Sequence, residues 1–411
     1  MKRLLKGLGF VVLALLAAAA GFALYVQLTG IPRYTPKPVT FVVDASPERL
    51  ARGRRTAVML CANCHMDPAT GALTGHVMAD APKQFGVIYS QNITQDREYG
   101  IGDWSDSELA YLIRTGVTRD GTYTPPWMLK LPLLADEDLK DVIAFLRSDD
   151  PLVRPVHVPD RKPEPSFFTK FLTHVAFKPL PYPEAPIVAP PSSDRVAYGR
   201  YLMVAKLDCY GCHSKDFATV DALVPEKTPG FLGGGNAMFD RDSHAVYTSN
   251  LTPDATGLGR WSEEQFRRTL KFGLRPDGRP LRSPMTARPE LTDEELGAMW
   301  AYLRTVPALP NTVPTPYPEA PIADAGRRVF HKYGCNSCHG NDGGGTTDIR
   351  RRIGTYASDD ALIAYIRHPE LTKPGIAMPT WDGTIEEAEY EPLVRYVRTL
   401  AVEAKAASPT P

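Results

Sequence analysis

The feature that most constrains this chain is a five-residue motif, Cys-x-x-Cys-His, that occurs three times. Its copies are Cys61, Cys64 and His65; Cys209, Cys212 and His213; and Cys335, Cys338 and His339. The sequence has six cysteines, so the motifs use all of them and leave no thiol for a disulfide or a nucleophile. Any interpretation of the chain has to explain three cysteine pairs, each followed directly by a histidine.

This motif is typical of covalent haem attachment. Two thiols about one helical turn apart form thioethers to the haem vinyl groups, and the adjacent imidazole ligates the iron. A zinc ribbon would pair two Cys-x-x-Cys knuckles at short separation, whereas these motifs lie 148 and 126 residues apart. A thioredoxin-like redox motif does not explain the repeated histidine. The sequence therefore predicts three covalently attached haem c groups, each with one iron.

The chain divides naturally into three haem units. Its 411 residues suffice for roughly two to four domains. Residues 104–147 align with residues 261–304 at a constant offset of 157, without a gap, so units one and two are duplicates that share an insertion. Unit three lacks that insertion. We predict an N-terminal segment at 1–30, haem units at 44–148, 194–305 and 323–401, a Pro-rich linker at 151–192 and a disordered tail at 402–411.

The N-terminal segment predicts a membrane anchor. Three basic residues within 2–6 precede an uncharged apolar run from Gly7 to about Leu28, close to the length of about 20 residues that a membrane-spanning helix needs. A cleaved signal peptide is the alternative, since Ala18 and Ala20 could form a cleavage site. The run stays apolar through Val26, which favours a retained anchor. Both interpretations place the remainder of the chain in the periplasm or outside the cell.

Proline marks the connections between the units. The sequence has 39 prolines, and the hexapeptide at 182–187 recurs at 317–322, ahead of units two and three. The linker at 151–192 also contains an apolar stretch at 166–172. We expect this stretch to be an interfacial helix, a contact for a partner, or a segment packed against the neighbouring haem unit.

Each unit has helix signals at both ends, which predicts a mainly α-helical fold. A glycine lies on the helix before each motif, and an acidic start followed by a periodic apolar run marks a closing helix. A glycine lets a second helix approach closely, and an aromatic residue on that helix fills the crossing. The predicted pairs are Gly53 with Phe145, Gly199 with Tyr302, and Gly326 with Tyr396.

The second axial ligand of each iron is predicted to be methionine. Three methionines precede the aromatic residue of the closing helix by 17, 17 and 18 residues, and prolines lie close to each of them. Prolines stiffen a loop that has to hold a thioether on iron. The candidate ligands are Met128, Met285 and Met378. Core filling is the alternative for any methionine, and three histidines at non-repeating positions are rival ligands: His76, His244 and His368.

Units one and two resemble the multihaem cytochrome c subunits of membrane-bound bacterial dehydrogenases of the alcohol, gluconate and sorbitol type. The resemblance lies in the Tyr-x-x-Asn-Ile/Leu-Thr motifs at 89–94 and 247–252, the glycine-rich turns ending in Trp104-Ser105 and Trp261-Ser262, and the acidic starts of the closing helices. It implies three tandem class I cytochrome c domains with His/Met haems, passing electrons from a periplasmic dehydrogenase. Unit three, around Met378, is similar to a generic monohaem cytochrome c.

These observations predict a membrane-anchored periplasmic electron relay of the bacterial inner membrane, not an enzyme. Its partner would be a dehydrogenase or respiratory complex, and its acceptor a quinone, an oxidase or a soluble cytochrome. Lys plus Arg and Asp plus Glu number 47 each, so no excess of positive charge indicates a nucleic-acid partner. The alternatives are an enzyme of the dihaem peroxidase type with one open haem and a haem-based sensor, which would need a cytoplasmic output domain.

Overall fold

The computed structural model of the chain describes residues 2–67, 69–78, 81–240, 244–273, 275–277, 279, 281–282, 284–314, 324–340, 343–344, 347–373, 376 and 378–406. The predicted, mainly helical fold is confirmed. In chain order the α-helices are α1 (Lys2–Thr29), α2 (Pro47–Leu60), α3 (Ala62–His65), α4 (Asp106–Thr115), α5 (Asp136–Leu146), α6 (Phe167–Val175), α7 (Arg195–Arg200), α8 (Cys209–His213), α9 (Glu263–Phe272), α10 (Asp293–Leu303), α11 (Ala325–Lys332), α12 (Cys335–His339), α13 (Arg350–Ile353), α14 (Asp359–Arg367), α15 (Pro369–Thr372) and α16 (Glu387–Ala406).

The strands of the described residues are short and form two antiparallel pairs. Strand β1 (Gly86–Val87) pairs with β2 (Glu164–Pro165), and β3 (Ala237–Phe239) pairs with β4 (Ala245–Tyr247). Turns of 3₁₀ helix lie at Lys83–Phe85, Phe217–Thr219 and Pro225–Lys227, and π-helix continues α7 over Tyr201–Lys206. The β1–β2 pair ties the segment at 151–192 to unit one.

The helix before each motif packs against the closing helix of the same unit: α2 on α5, α7 on α10 and α11 on α16. At Gly53 a Cβ atom would overlap the carbonyl oxygen of Asp141, and the Cβ of Phe145 is the next neighbour. At Gly326 a Cβ would overlap the carbonyl oxygen of Pro392. The predicted close approach at glycine is therefore confirmed at these crossings.

The second crossing follows the same rule with different neighbours. A Cβ at Gly199 would overlap the carbonyl oxygen of Ala298, and the next atom belongs to Met299. Ala298 precedes Tyr302 by four residues, as Asp141 precedes Phe145, so the second crossing has the register of the first. Close backbone contact is thus shared by the three crossings, and the predicted aromatic residue lies beside it at Gly53 and Gly326.

Units one and two share one hydrophobic core. A single cluster of buried side chains extends from Phe41 to Val306 and includes Leu139, Leu202 and Leu296 at 0% exposure. Unit three has a separate cluster around α11, α14 and α16. The duplicated pair is therefore packed as one body, to which unit three adds its own core.

Two ion pairs join units one and two in a reciprocal way. Arg55 of α2 donates to Glu295 of α10 at 2.6 and 3.0 Å, and the Glu295 side chain is 4% exposed. Lys206, which precedes the second motif, donates to Asp138 of α5 at 2.8 Å, and Tyr201 donates to the same carboxylate. Asp138 and Glu295 occupy equivalent positions of the 157-residue repeat. Each closing helix therefore supplies an acid to a base that precedes the motif of the other unit.

Unit three contacts unit two through the end of α9. The rings of Phe272 and Trp381 lie with centroids 5.4 Å apart, and Phe272 borders the core of unit three. A Cβ at Gly334, directly before the third motif, would lie 2.8 Å from the carbonyl oxygen of Phe272. The third motif is thus held against the second unit by close backbone contact.

Helix α1 is long and apolar enough to cross a membrane. Within Arg3–Thr29 an 18-residue stretch has a mean hydropathy of 2.4, and this stretch is 0% buried. Within the predicted linker at 151–192 the structure has helix α6, whose contacts are with α1 and with Lys83–Phe85. The linker is therefore partly ordered as a helix rather than extended throughout.

Two predicted boundaries differ from the structure or lie outside it. Helix α16 continues to Ala406, past the predicted end of unit three at 401, because the alanine-rich stretch after Leu400 favours helix. The part of the predicted tail at 402–406 is thus helical, and 407–411 lie outside the described residues. The second hexapeptide at 317–322 and the predicted start of unit three at 323 also lie outside them.

Replacing Gly326 with alanine is expected to lower the stability of unit three by about 1–3 kcal/mol, because the added methyl group would overlap the α16 backbone. Gly354→Ala is the matched control in the same unit, since Gly354 has a φ of −67° and open space around its Cβ position. Thermal unfolding followed by circular dichroism measures both variants. Equal midpoints for the two would contradict the assigned helix contact.

Replacing Glu295 with glutamine is expected to destabilise the body of units one and two by about 1–3 kcal/mol, because Arg55 would lose the charge of its partner. Glutamine keeps the hydrogen bond that Glu295 accepts from the backbone of Thr292, so the helix cap is preserved. Glu294→Gln removes an exposed charge from the same turn and serves as the control. Denaturant unfolding measures the free energy of unfolding of both variants. If the Glu295 variant is as stable as the control, the ion pair does not stabilise the interface.

Candidate haem sites

Each of the three motifs lies on a short helix of its own. These helices are α3, α8 and α12, and all six cysteines are half-buried with no disulfide between them. In units two and three the residue before the motif adopts a left-handed conformation, with φ of 51° at Asp208 and 69° at Gly334. This conformation changes the direction of the chain between the preceding helix and the motif helix, so the cysteines and the histidine lie on a helix with a different axis.

One ring nitrogen of each motif histidine is committed to the backbone. The Nδ1–H group of His65 donates to the carbonyl oxygen of Gln91 at 2.7 Å, and that of His213 donates to Ser249 at 2.8 Å. In unit three the Nδ1–H group of His339 donates to a carbonyl oxygen only eight residues away, that of Thr347, at 2.8 Å. With the proton on Nδ1, the Nε2 nitrogen keeps its lone pair and can bind a metal.

The chemistry of the imidazoles suits this role. Burial lowers the pKa of His65, His213 and His339, partly opposed by the hydrogen bond to the carbonyl oxygen. A neutral ring is the form that ligates iron. All three histidines therefore present a neutral nitrogen from a fixed orientation.

The carbonyl acceptors in units one and two come from the repeated Tyr-x-x-Asn-Ile/Leu-Thr motif. Asn92 follows Gln91, and its side-chain oxygen accepts from the backbone and hydroxyl of Thr94 at 2.9 and 2.7 Å. The same side-chain turn exists in unit two, where Asn250 accepts from Thr252 at 2.9 and 2.8 Å. All four side chains are buried. The motif is thus a rigid loop that aims one carbonyl oxygen at the histidine.

Sequence reasoning noted this motif as a repeat and missed its structural role. The signal was present, because the motif recurs at a nearly constant offset and joins an asparagine to a threonine two residues later, a pattern typical of side-chain-stabilised turns. Unit three lacks the motif and uses Thr347 instead. A backbone acceptor has no side-chain signature, so its identity could not be predicted directly.

The three predicted methionine ligands lie half-buried in loops that precede the closing helices. The backbone N–H of Met128 donates to the carbonyl oxygen of Pro125 at 3.1 Å, which closes a turn over the proline pair. Met378 borders the core of unit three together with Cys335, so these two predicted haem contacts meet at one cluster. Met285 lies in the loop between α9 and α10.

The rival histidines engage other groups. His76 bonds through Nδ1 to the carbonyl oxygen of Val77 at 2.7 Å. His244 lies 3.4 Å from the Asp240 carboxylate, and His368 lies 3.2 Å from that of Glu370. Nε2 of His368 is also 3.7 Å from the Asp382 carboxylate. Each of the three rings thus has a polar partner within the protein.

The side chains at each of the three motifs are the ones that covalent attachment of a haem requires. Each site combines two thiols on one short helix with a neutral imidazole whose Nδ1 is already bonded, which leaves Nε2 for iron. Zinc would need further thiolate or imidazole ligands at each site. Among the described residues, no group of three or more His, Cys, Asp or Glu side chains is arranged to hold a metal ion.

Comparison with known families identifies cytochrome c domains in the chain. The family model described as "Cytochrome c" matches residues 50–149, and the model described as "Cytochrome C oxidase, cbb3-type, subunit III" matches residues 321–397. These domains imply covalently bound haem c with its iron. The two matches fall on the first and third motifs.

Curated relatives cover most of the chain at 27% identity. The cytochrome c subunit of alcohol dehydrogenase (quinone) from Gluconacetobacter polyoxogenes aligns over 374 residues, 82% of this chain and 77% of the relative. The cytochrome c subunit of gluconate 2-dehydrogenase from Pantoea cypripedii aligns over 82% of each chain. The fructose dehydrogenase cytochrome subunit of Gluconobacter japonicus aligns over 73% of this chain and 65% of the relative. The predicted resemblance to cytochrome c subunits of alcohol and gluconate dehydrogenases is confirmed.

Proposed function

We propose that this chain, which carries cytochrome c domains, is a membrane-anchored periplasmic trihaem cytochrome that relays electrons from a dehydrogenase or respiratory partner to a quinone, an oxidase or a soluble cytochrome. The observation that carries the proposal is the threefold recurrence of one arrangement: a motif helix with its imidazole oriented by a backbone carbonyl. Bound haem c supplies one-electron iron chemistry at each site. The six cysteines would attach it, and His65, His213 and His339 would ligate its iron.

The packing of the units supports a relay. Units one and two share a core and two reciprocal ion pairs, which fixes their motifs relative to one another. Unit three is held to unit two at the residue that precedes its motif. Fixed relative positions favour electron exchange between sites, because the separation does not change with each encounter.

The methionines complete the proposed ligand sets. Met128, Met285 and Met378 would take the second axial position in units one, two and three. A methionine ligand raises the reduction potential relative to histidine, so three His/Met sites suit a relay in the upper part of the haem c range. With a second ligand at every site no iron position stays open, which favours electron transfer over peroxidase chemistry.

The relatives and helix α1 support the proposed partner and location. The named relatives are cytochrome c subunits of dehydrogenases, which supports a dehydrogenase as electron donor. The basic residues that precede the apolar helix support an N-terminus in the cytoplasm and haem units in the periplasm. The chain would thus be a non-catalytic subunit of an oxidoreductase complex on the bacterial inner membrane.

The haem count is tested by removing one cysteine pair at a time. Three double variants, Cys61→Ser/Cys64→Ser, Cys209→Ser/Cys212→Ser and Cys335→Ser/Cys338→Ser, are each expected to lose one of the three haems, because a motif without thiols cannot form thioethers. The pyridine haemochrome assay and the intact protein mass measure the number bound. A wild-type chain with fewer than three, or a double variant with all three, would refute the trihaem proposal.

The methionine ligands are tested in unit two. Met285→His is expected to lower one midpoint potential by on the order of 100 mV or more, within the roughly 0.8 V range that axial ligands set. It should also remove one part of the near-infrared Met-to-iron charge-transfer band of the ferric protein. Met238→His, at a half-buried methionine of the same unit, is the control. A redox titration that is unchanged in the Met285 variant would exclude this ligand.

A further inference from the structure

Helix α6 has its polar and apolar faces reversed with respect to the protein. Thr169 and Thr173, one turn apart, are fully buried at 0% exposure, and the hydroxyl of Thr169 bonds to unit one. Side chains on the other side keep a large exposed fraction: 44% for Phe167, 49% for Val175, and 44% for Phe168, whose ring also stacks on Phe85 at 5.8 Å. A surface helix of a soluble protein turns its apolar stripe to the core. The burial of α6 therefore indicates an apolar environment outside the protein.

The polar side of α6 is firmly attached to unit one. The hydroxyl of Thr169 donates to the carbonyl oxygen of Phe85 at 2.8 Å, and the backbone N–H of Ser166 donates to the same residue at 3.0 Å. Ser166 also caps the helix, accepting from the N–H of Thr169. The β1–β2 pair fixes the chain that enters the helix. The outward position of the apolar face is thus built into the fold.

The side of α6 packs against the last turns of α1. The rings of Phe171 and Phe22 lie 6.1 Å apart in an edge-on arrangement, and those of His174 and Tyr25 lie 5.4 Å apart. Nε2 of His174 is 2.9 Å from the carbonyl oxygen of Gly30, which ends α1. Helix α6 therefore lies at the level where the apolar run of α1 ends.

The exposed face of α6 lies beside the last turns of α1, which also carry exposed apolar side chains. Leu24 and Leu28, in the last turns of α1, are 59% and 77% exposed. Basic side chains border the face: Lys83 is exposed on the neighbouring 3₁₀ turn, and Lys178 donates to the last carbonyl groups of α6, including His174 at 2.5 Å. An apolar face with flanking lysines is the pattern of helices that lie in a lipid headgroup region.

We propose that α6 is an interfacial helix that lies in the surface of the bilayer crossed by α1. Phe167, Phe168 and Val175 would enter the acyl boundary, while Lys83 and Lys178 would meet the lipid phosphates. This proposal rests on the proposed membrane-spanning role of α1. Two attachments, one across the bilayer and one along it, fix the tilt of unit one and hence the height of its motif above the membrane.

The chain provides a direct labelling test, because thioether formation leaves any added cysteine as the only free thiol. Val175→Cys and Phe167→Cys are each labelled with an environment-sensitive fluorophore in the full-length haem-loaded protein, reconstituted in phosphatidylcholine vesicles with or without brominated acyl chains. Val188→Cys, at a valine that is 84% exposed in the linker, is the aqueous control. Leu13→Cys, in the middle of α1, is the bilayer control. The intensity ratio between the two vesicle types cancels quenching by haem.

Brominated lipid is expected to reduce the fluorescence at positions 175 and 167 by at least about twofold, because the apolar face of an interfacial helix reaches the acyl boundary. It should leave position 188 unchanged. No quenching at 175 and 167, with quenching at 13, would overturn the interfacial role and leave the membrane anchor intact. Absence of quenching at 13 would refute the proposed anchor itself, and with it this inference. Neither outcome depends on electron transfer.

Discussion

The hydrogen bond from Nδ1–H of each motif histidine to a backbone carbonyl is the interaction on which the proposed sites depend. An imidazole beside two thiols can rotate and can exchange tautomers, and a metal needs one particular nitrogen in one direction. A carbonyl oxygen at 2.7–2.8 Å settles both at once. The surrounding burial keeps the ring neutral. The folds around the three motifs can be understood as three ways of holding that carbonyl in place.

Those ways differ in the length of chain they require. Unit three brings its acceptor from eight residues beyond the histidine, whereas units one and two use carbonyls 26 and 36 residues away. The longer excursions contain the Asn–Thr turn that stiffens the acceptor loop. The same two units join through acids at equivalent repeat positions, Asp138 and Glu295. The duplicated units therefore share the Asn–Thr turn at the site and the acid on the closing helix. Each of these acids pairs with a basic residue of the other unit.

The sequence predicted the parts of this arrangement that have a side-chain signature. The motifs, the mainly helical fold and the glycines at the crossings were readable, because each demands a specific residue type: Gly53 and Gly326 admit no Cβ. Backbone acceptors such as Thr347 were not predictable, since every residue has a carbonyl group. The pairing of Arg55 with Glu295 was not predictable either, since a charged residue has many possible partners in the sequence. At all three crossings the glycine faces the carbonyl oxygen four residues before the predicted aromatic residue: Asp141 before Phe145, Ala298 before Tyr302, and Pro392 before Tyr396.

In the linker at 151–192, side-chain exposure in the structure decides between two interpretations that the sequence pattern leaves open. The apolar stretch at 166–172 was compatible with a helix packed on its neighbour or with one facing lipid, since both use the same amphipathic period. The structure separates the two by showing which face is covered. Thr169 and Thr173 are buried, whereas Phe167 and Phe168 are exposed, next to the end of an apolar helix. Packing against unit one through hydroxyl hydrogen bonds leaves the apolar face outward, and a bilayer at the end of α1 is the environment that such a face fits.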